Sequence, residues 1–70
     1  MVELTSREQD VINYLSKGYN NEEIGDKLSI SVHTVKAHLE SIYEKMEVKN
    51  RVQAAIKAAK LSIIDISETI

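Results

Sequence analysis

Two residues, Ser29 and Ile30, separate Leu28, the last apolar residue of one helical pattern, from Ser31, a residue suited to open another. A Ser hydroxyl accepts a hydrogen bond from the free amides of a helix start, so Ser31 marks a new beginning rather than a continuation. Two helices joined by so short a link must turn on each other as a helix-turn-helix pair. The chain offers few other ways to organise itself. It has 70 residues, no Pro, no Cys and two Gly. Without Cys there is neither a disulfide nor a thiolate metal site to staple the fold, so helix packing must hold it.

Three more capping signals divide the rest of the chain. Thr5-Ser6-Arg7-Glu8 has the form of a capping box, with Val11, Ile12 and Leu15 as an apolar stripe behind it. Gly18 can take the left-handed conformation that closes this first helix. Asn20 opens the second helix, with Glu23 at its third position and Ile24 and Leu28 facing inward. Gly25 inside that helix costs roughly 1 kcal/mol against Ala, which points to close approach of a neighbouring segment. Ser31 opens the third helix, from Val32 to about Met46. Asn50-Arg51-Val52-Gln53 opens the fourth. That last helix carries two apolar stripes: Val52, Ala55, Ile56 and Ala59 on one side, Ala54, Ala58 and Leu61 on the other. The expected architecture is all-α, a four-helix bundle containing a helix-turn-helix. One domain spans 1–64 and a tail spans 65–70; within this end, Ile63 and Ile64 are candidates to cover the core.

The net charge is −2, but its distribution matters more. Residues 1–30 hold three cations against six anions, net −3. Residues 31–60 hold six cations against three anions, net +3. The last ten add two anions. A surface that approaches phosphate needs a local positive field rather than a positive total, and the basic segment contains the third helix.

On an ideal wheel Val35, Leu39, Ile42 and Met46 fall within an arc of roughly 60°, which defines a core face. His33, Lys36, Ala37 and Glu40 point away from it, as do Thr34 and Ser41. A small residue at Ala37 lets the backbone come close to a groove. Lys36 can donate to guanine O6 and N7, Ala37 can touch a thymine methyl and Glu40 can accept from cytosine N4. Thr34, at the helix start, suits a phosphate contact, and Lys45, Lys49 and Arg51 can grip the flanking backbone. Lys36 and Glu40 could instead form a surface ion pair of a few tenths of a kcal/mol. His33 and His38, five residues apart, lie too far round the helix to share a metal. His38 borders the core.

The segments "LTSRE" (residues 4–8), "G-x-N-N-x-E-I" (18–24), "L-S-I-S-x-x-T-V-K-x-H" (28–38) and "V-x-x-R-x-x-A" (48–54) together resemble the LuxR-type helix-turn-helix domain, over about residues 3–64. Such domains end many bacterial response regulators and quorum sensors, and stand alone in the small GerE-like regulators. The resemblance implies a transcription regulator that binds DNA as a dimer, with the third helix in the major groove and the fourth at the dimer interface. Lys36 and Ala37 match base-contacting positions. Glu40 matches a third, often basic in relatives. Thr34 matches a backbone-contacting position, and Lys45, Lys49 and Arg51 lie in a region that often touches phosphate. Arg51 can alternatively be structural, beside the fourth cap. Ala54, Ala58 and Leu61 fall on the face expected between two copies. Gly25 and Met46 stand where relatives usually have Ala and Leu.

The implied partners are double-stranded DNA and a second copy of the chain, with RNA polymerase a further one, in the bacterial cytoplasm. No cofactor, metal, membrane or small-molecule substrate is expected. No nucleophile–His–acid set or phosphate-cradling Gly loop suggests an enzyme. Region four of a sigma factor shares part of the pattern, but the capped V-x-x-R-x-x-A segment argues against it. A protein-binding module that has lost DNA reading is the other class, supported by Glu40, Glu44 and Glu47. A capped helix four residues after Met1 fits a piece of a longer regulator somewhat better than a free-standing one.

Overall fold

A computed structural model describes residues 2–61 and 63. Four helices follow one another: α1 (Ser6–Ser16), α2 (Asn21–Leu28), α3 (Val32–Met46) and α4 (Arg51–Lys60). Each starts where a side chain can satisfy a free amide. Thr5 and Glu8 form a reciprocal capping box on α1, and Asn20 and Glu23 form another on α2. At α4 the pattern is modified. Asn50 accepts from the Gln53 amide, but the Gln53 side chain accepts from Lys49 N–H, one residue further back than a capping box requires.

The ends of α1, α2 and α3 are set by left-handed residues. Gly18 has φ +92°, and the Tyr19 amide reaches back to the Tyr14 carbonyl at 3.2 Å. This is the geometry that satisfies otherwise orphaned carbonyls. Ser29 (φ 56°) closes α2 and Glu47 (φ 57°) closes α3, both without the freedom of Gly. The Ser29 turn explains Gly25. A Cβ placed on Gly25 would lie 2.7 Å from the Ile30 carbonyl oxygen, whose own amide donates to the Gly25 carbonyl at 2.9 Å. The chain doubles back against the helix it has just left, and this tight turn aims α3.

α3 is the central element, packed on α1 and α2, with α4 laid across α1 and α3. Val11, Ile12, Leu15, Ile24, Val35, Leu39, Ile42 and Met46 are buried as their spacing requires. The inner face of α4 is a correction. Ala54 and Ala58, expected between two copies, are fully buried in the protein's own core. Val52 and Ile56 are the exposed large apolar residues of that helix, and Leu61, its C-cap, is exposed too. Two small residues let α4 settle close to its neighbours, and Val52 or Ile56 would hold it away. Among the end residues, Ile63 is half-buried against the core. Its amide donates to the Ala58 carbonyl at 2.9 Å, and its carbonyl accepts from Gln9 Nε2 at 2.8 Å. Ile64 and the expected boundary at 64/65 lie outside the described residues.

Candidate nucleic-acid interface

The start of α3 is fastened first. Ser31 Oγ accepts from the Thr34 amide at 3.0 Å and shares a 2.9 Å hydrogen bond with Thr34 Oγ1. Thr34 is therefore half-buried and tied to the cap, at the positive end of the helix dipole. Val35, Leu39, Ile42 and Met46 then anchor the inner side of α3 to the core. With the inner side fixed, the outer side is set. His33, Lys36, Ala37 and Glu40 are all exposed, as expected. His38 is half-buried at the border. The ion pairs among the described residues are Arg7–Asp10 and Lys45–Glu8, so the alternative Lys36–Glu40 pair is not made.

An open cleft of about 440 Å³ runs along this side, bounded by Lys36, Glu40 and Tyr43 of α3 and by Lys49, Asn50 and Arg51 where α4 begins. A second hollow joins it at Lys36 and Arg51 and reaches the start of α2 at Asn20 and Asn21. The capped starts of α2 and α4 thus flank the outer side of α3. Burial pushes the Tyr43 phenol up, against the opposing effect of Arg51, so it remains a neutral hydrogen-bond donor beside the cleft.

Besides Thr34, held by the cap, two of the four expected phosphate contacts have other engagements. Lys45 Nζ donates to Glu8 Oε1 at 2.7 Å, with the Lys45 side chain 38% exposed and the Glu8 side chain 5%. Ser41, expected to face outward, instead donates from Oγ to Glu8 Oε2 at 2.6 Å, and the Thr5 amide donates to Oε1 at 2.9 Å. Burial alone would raise the Glu8 pKa. The hydrogen bonds from Lys45, Ser41 and Thr5, with the Lys45 charge, outweigh it and hold the carboxyl down to about 2. A buried anion from α1 thus claims Lys45. Arg51 Nη2 donates to the Tyr19 carbonyl at 2.7 Å and Nη1 to Asn21 Oδ1 at 3.0 Å, tying α4 to the α1–α2 link. This is the structural role held open for it. Lys49 is exposed and in no ion pair among the described residues. Lys57 Nζ donates to the Met46 carbonyl at 2.7 Å, closing the negative end of α3, a contact that sequence spacing did not suggest.

Among the described residues no helix is long and apolar enough to cross a membrane, and no group of acidic, His or Cys side chains could hold a metal ion.

The model of the family described as "Bacterial regulatory proteins, luxR family" matches residues 2–58. The chain is 53% identical over 53 residues to YhjB of Escherichia coli (strain K12), whose name marks it as a candidate HTH-type transcriptional regulator. That alignment covers 76% of the chain and 26% of YhjB. It is 41% identical over 61 residues to the response regulator protein VraR of Staphylococcus aureus (strain NCTC 8325 / PS 47), covering 87% of the chain and 29% of VraR. The chain therefore spans less than a third of the length of these curated relatives. The solved structure of the transcription factor GerE superposes with a TM-score of 0.84 at 30% identity, covering 90% of the chain and 94% of GerE.

Proposed function

We propose that this chain, which belongs to the LuxR family of bacterial regulatory proteins and shares its DNA-binding helix-turn-helix, reads double-stranded DNA by laying α3 in the major groove. One observation carries this reading. The inner side of α3 is locked by four core residues, while His33, Lys36, Ala37 and Glu40 stand exposed on the other side and in no ion pair among the described residues. A major groove about 12 Å wide admits such a helix. Lys36 offers a donor to guanine, Ala37 a methyl-sized contact, and His33 a ring near the leading end. Lys49 and the starts of α2, α3 and α4, with Thr34 in the first turn of α3, lie where flanking phosphates would run.

Pairing of two copies is part of the proposal, through the outer side of α4. Among the described residues Val52 (65% exposed) and Ile56 (53%) are the large apolar residues of α4 left in water, with Leu61 (48%) just past its end. Val52 and Ile56 take the place of Ala54 and Ala58 as contact residues, and Leu61 stays one. A dimer so formed would set two α3 helices on two half-sites and act on RNA polymerase from DNA in the bacterial cytoplasm.

The test is a binding titration against random duplex across salt concentrations, followed by selection of preferred sites. Lys49 against the backbone and Lys36 inside the groove displace about two counterions per protomer, which gives a slope of log K on log salt near −1.8, and near −3.6 for a pair. Absence of duplex binding even at low salt would replace DNA reading with protein binding as the role of this surface.

A further inference from the structure

We propose that Glu40 is the specificity-determining residue of the interface and that it acts by requiring a cytosine at one position of each half-site. The proposal rests on α3 lying in the groove, as set out above. Glu40 is exposed one turn beyond Lys36, on the outer side of α3 and at the edge of the cleft that Lys36 and Lys49 also line. It takes part in neither ion pair of the described residues, so no contact ties its carboxylate down.

A bare carboxylate is an unusual group to bring against duplex DNA. It repels every phosphate it nears, and pressed against a base edge without a donor it loses water and gains nothing. Ionised, it can only accept hydrogen bonds. In the major groove the donors are cytosine N4–H and adenine N6–H. Adenine carries N7 beside its amino group, an acceptor that would face the carboxylate lone pair against lone pair. Cytosine has a C–H there instead. Glu40 therefore penalises every base pair except one that presents cytosine, and specificity comes from the rejected sites as much as from the accepted one. The same carboxylate holds down affinity for unselected DNA, because it stands in a cleft that Lys36 and Lys49 also line.

The experiment selects duplex sites with the wild-type protein, Glu40→Ala and Glu40→Lys. The exposed position predicts unchanged thermal melting for both variants. Wild-type sites are expected to hold a cytosine that Glu40→Ala sites lose, and Glu40→Lys sites should exchange it for guanine. Replacing that cytosine with 2-pyrimidinone, which lacks the 4-amino group, should weaken wild-type binding about tenfold and leave Glu40→Ala unaffected. Random duplex should bind Glu40→Ala more tightly than wild type at the same salt. Identical selected sites for wild type and Glu40→Ala, selection of adenine there, or equal loss in both proteins on the analogue would overturn the assignment while leaving DNA reading intact. Failure of the wild-type protein to retain any duplex would overturn both.

Discussion

Glu8→Gln is the substitution through which the packing around α3 can be measured. The Glu8 carboxylate is 5% exposed and holds Lys45, Ser41 and the Thr5 amide on its two oxygens. Its pKa falls to about 2 against roughly 4.3 for an unstructured chain, and at about 1.4 kcal/mol per unit this is close to 3 kcal/mol of stability. A folded-state value below the unfolded one means the contribution is complete above about pH 4.3 and drains away as pH falls through about 2. Gln keeps one acceptor oxygen but loses the charge, and its amide group meets Lys45 or Ser41 with a donor. Lys45, partly exposed, can turn to water, so little extra penalty arises on its side. The expected loss at pH 7 is therefore about 2–3 kcal/mol, a large part of the roughly 4–10 kcal/mol available to a chain of this length. Urea unfolding followed by circular dichroism, from pH 7 to pH 2, gives both curves. The difference between the two proteins should shrink as the pH drops below about 4 and approach zero near 2. Equal stability at pH 7, or a gap that persists unchanged in acid, would refute the assignment of Glu8 as a charged tie between α1 and α3.

Other substitutions separate the remaining roles. Glu47→Gly should stabilise the fold by about 1 kcal/mol, or several degrees in Tm, because Glu47 is left-handed and places an anion at the negative end of α3; an unchanged or lower Tm would contradict this. Arg51→Ala should cost about 2 kcal/mol of stability with the salt slope of DNA binding unaltered, whereas a phosphate contact would show the reverse. Ile56→Asp should abolish self-association in sedimentation while leaving the melt intact. Ala58→Leu should overpack the core and cost about 1–3 kcal/mol or more.

What was legible in the chain was what depends on near neighbours. Thr5, Asn20, Ser31 and Asn50 cap the four helices they were expected to cap, because a cap involves residues within three positions of each other. The inward stripe of α3 and its exposed opposite side follow from one strong apolar period. α4 was harder because its two stripes are both apolar and both short. The choice between them rests on how close α4 can lie to α1 and α3, and the small Ala54 and Ala58 settle it. Lys45 reads as a phosphate contact, and Arg51 as either that or a structural residue, for a similar reason. Their actual partners, Glu8 and the Tyr19–Asn21 link, lie some thirty or more residues away, beyond the reach of any local pattern. Gly25 was read as a close-approach position, and the Ile30 carbonyl supplies the neighbour.

Amide chemical shifts recorded while a selected duplex is titrated into the isotope-labelled protein bear most directly on whether the outer side of α3 meets DNA. Shifts concentrated from Ser31 to Glu40, with lesser ones at the starts of α2 and α4, are the expected result. A duplex that leaves those amides unmoved, or that shifts only the amides around Tyr14 and Lys27, would contradict it.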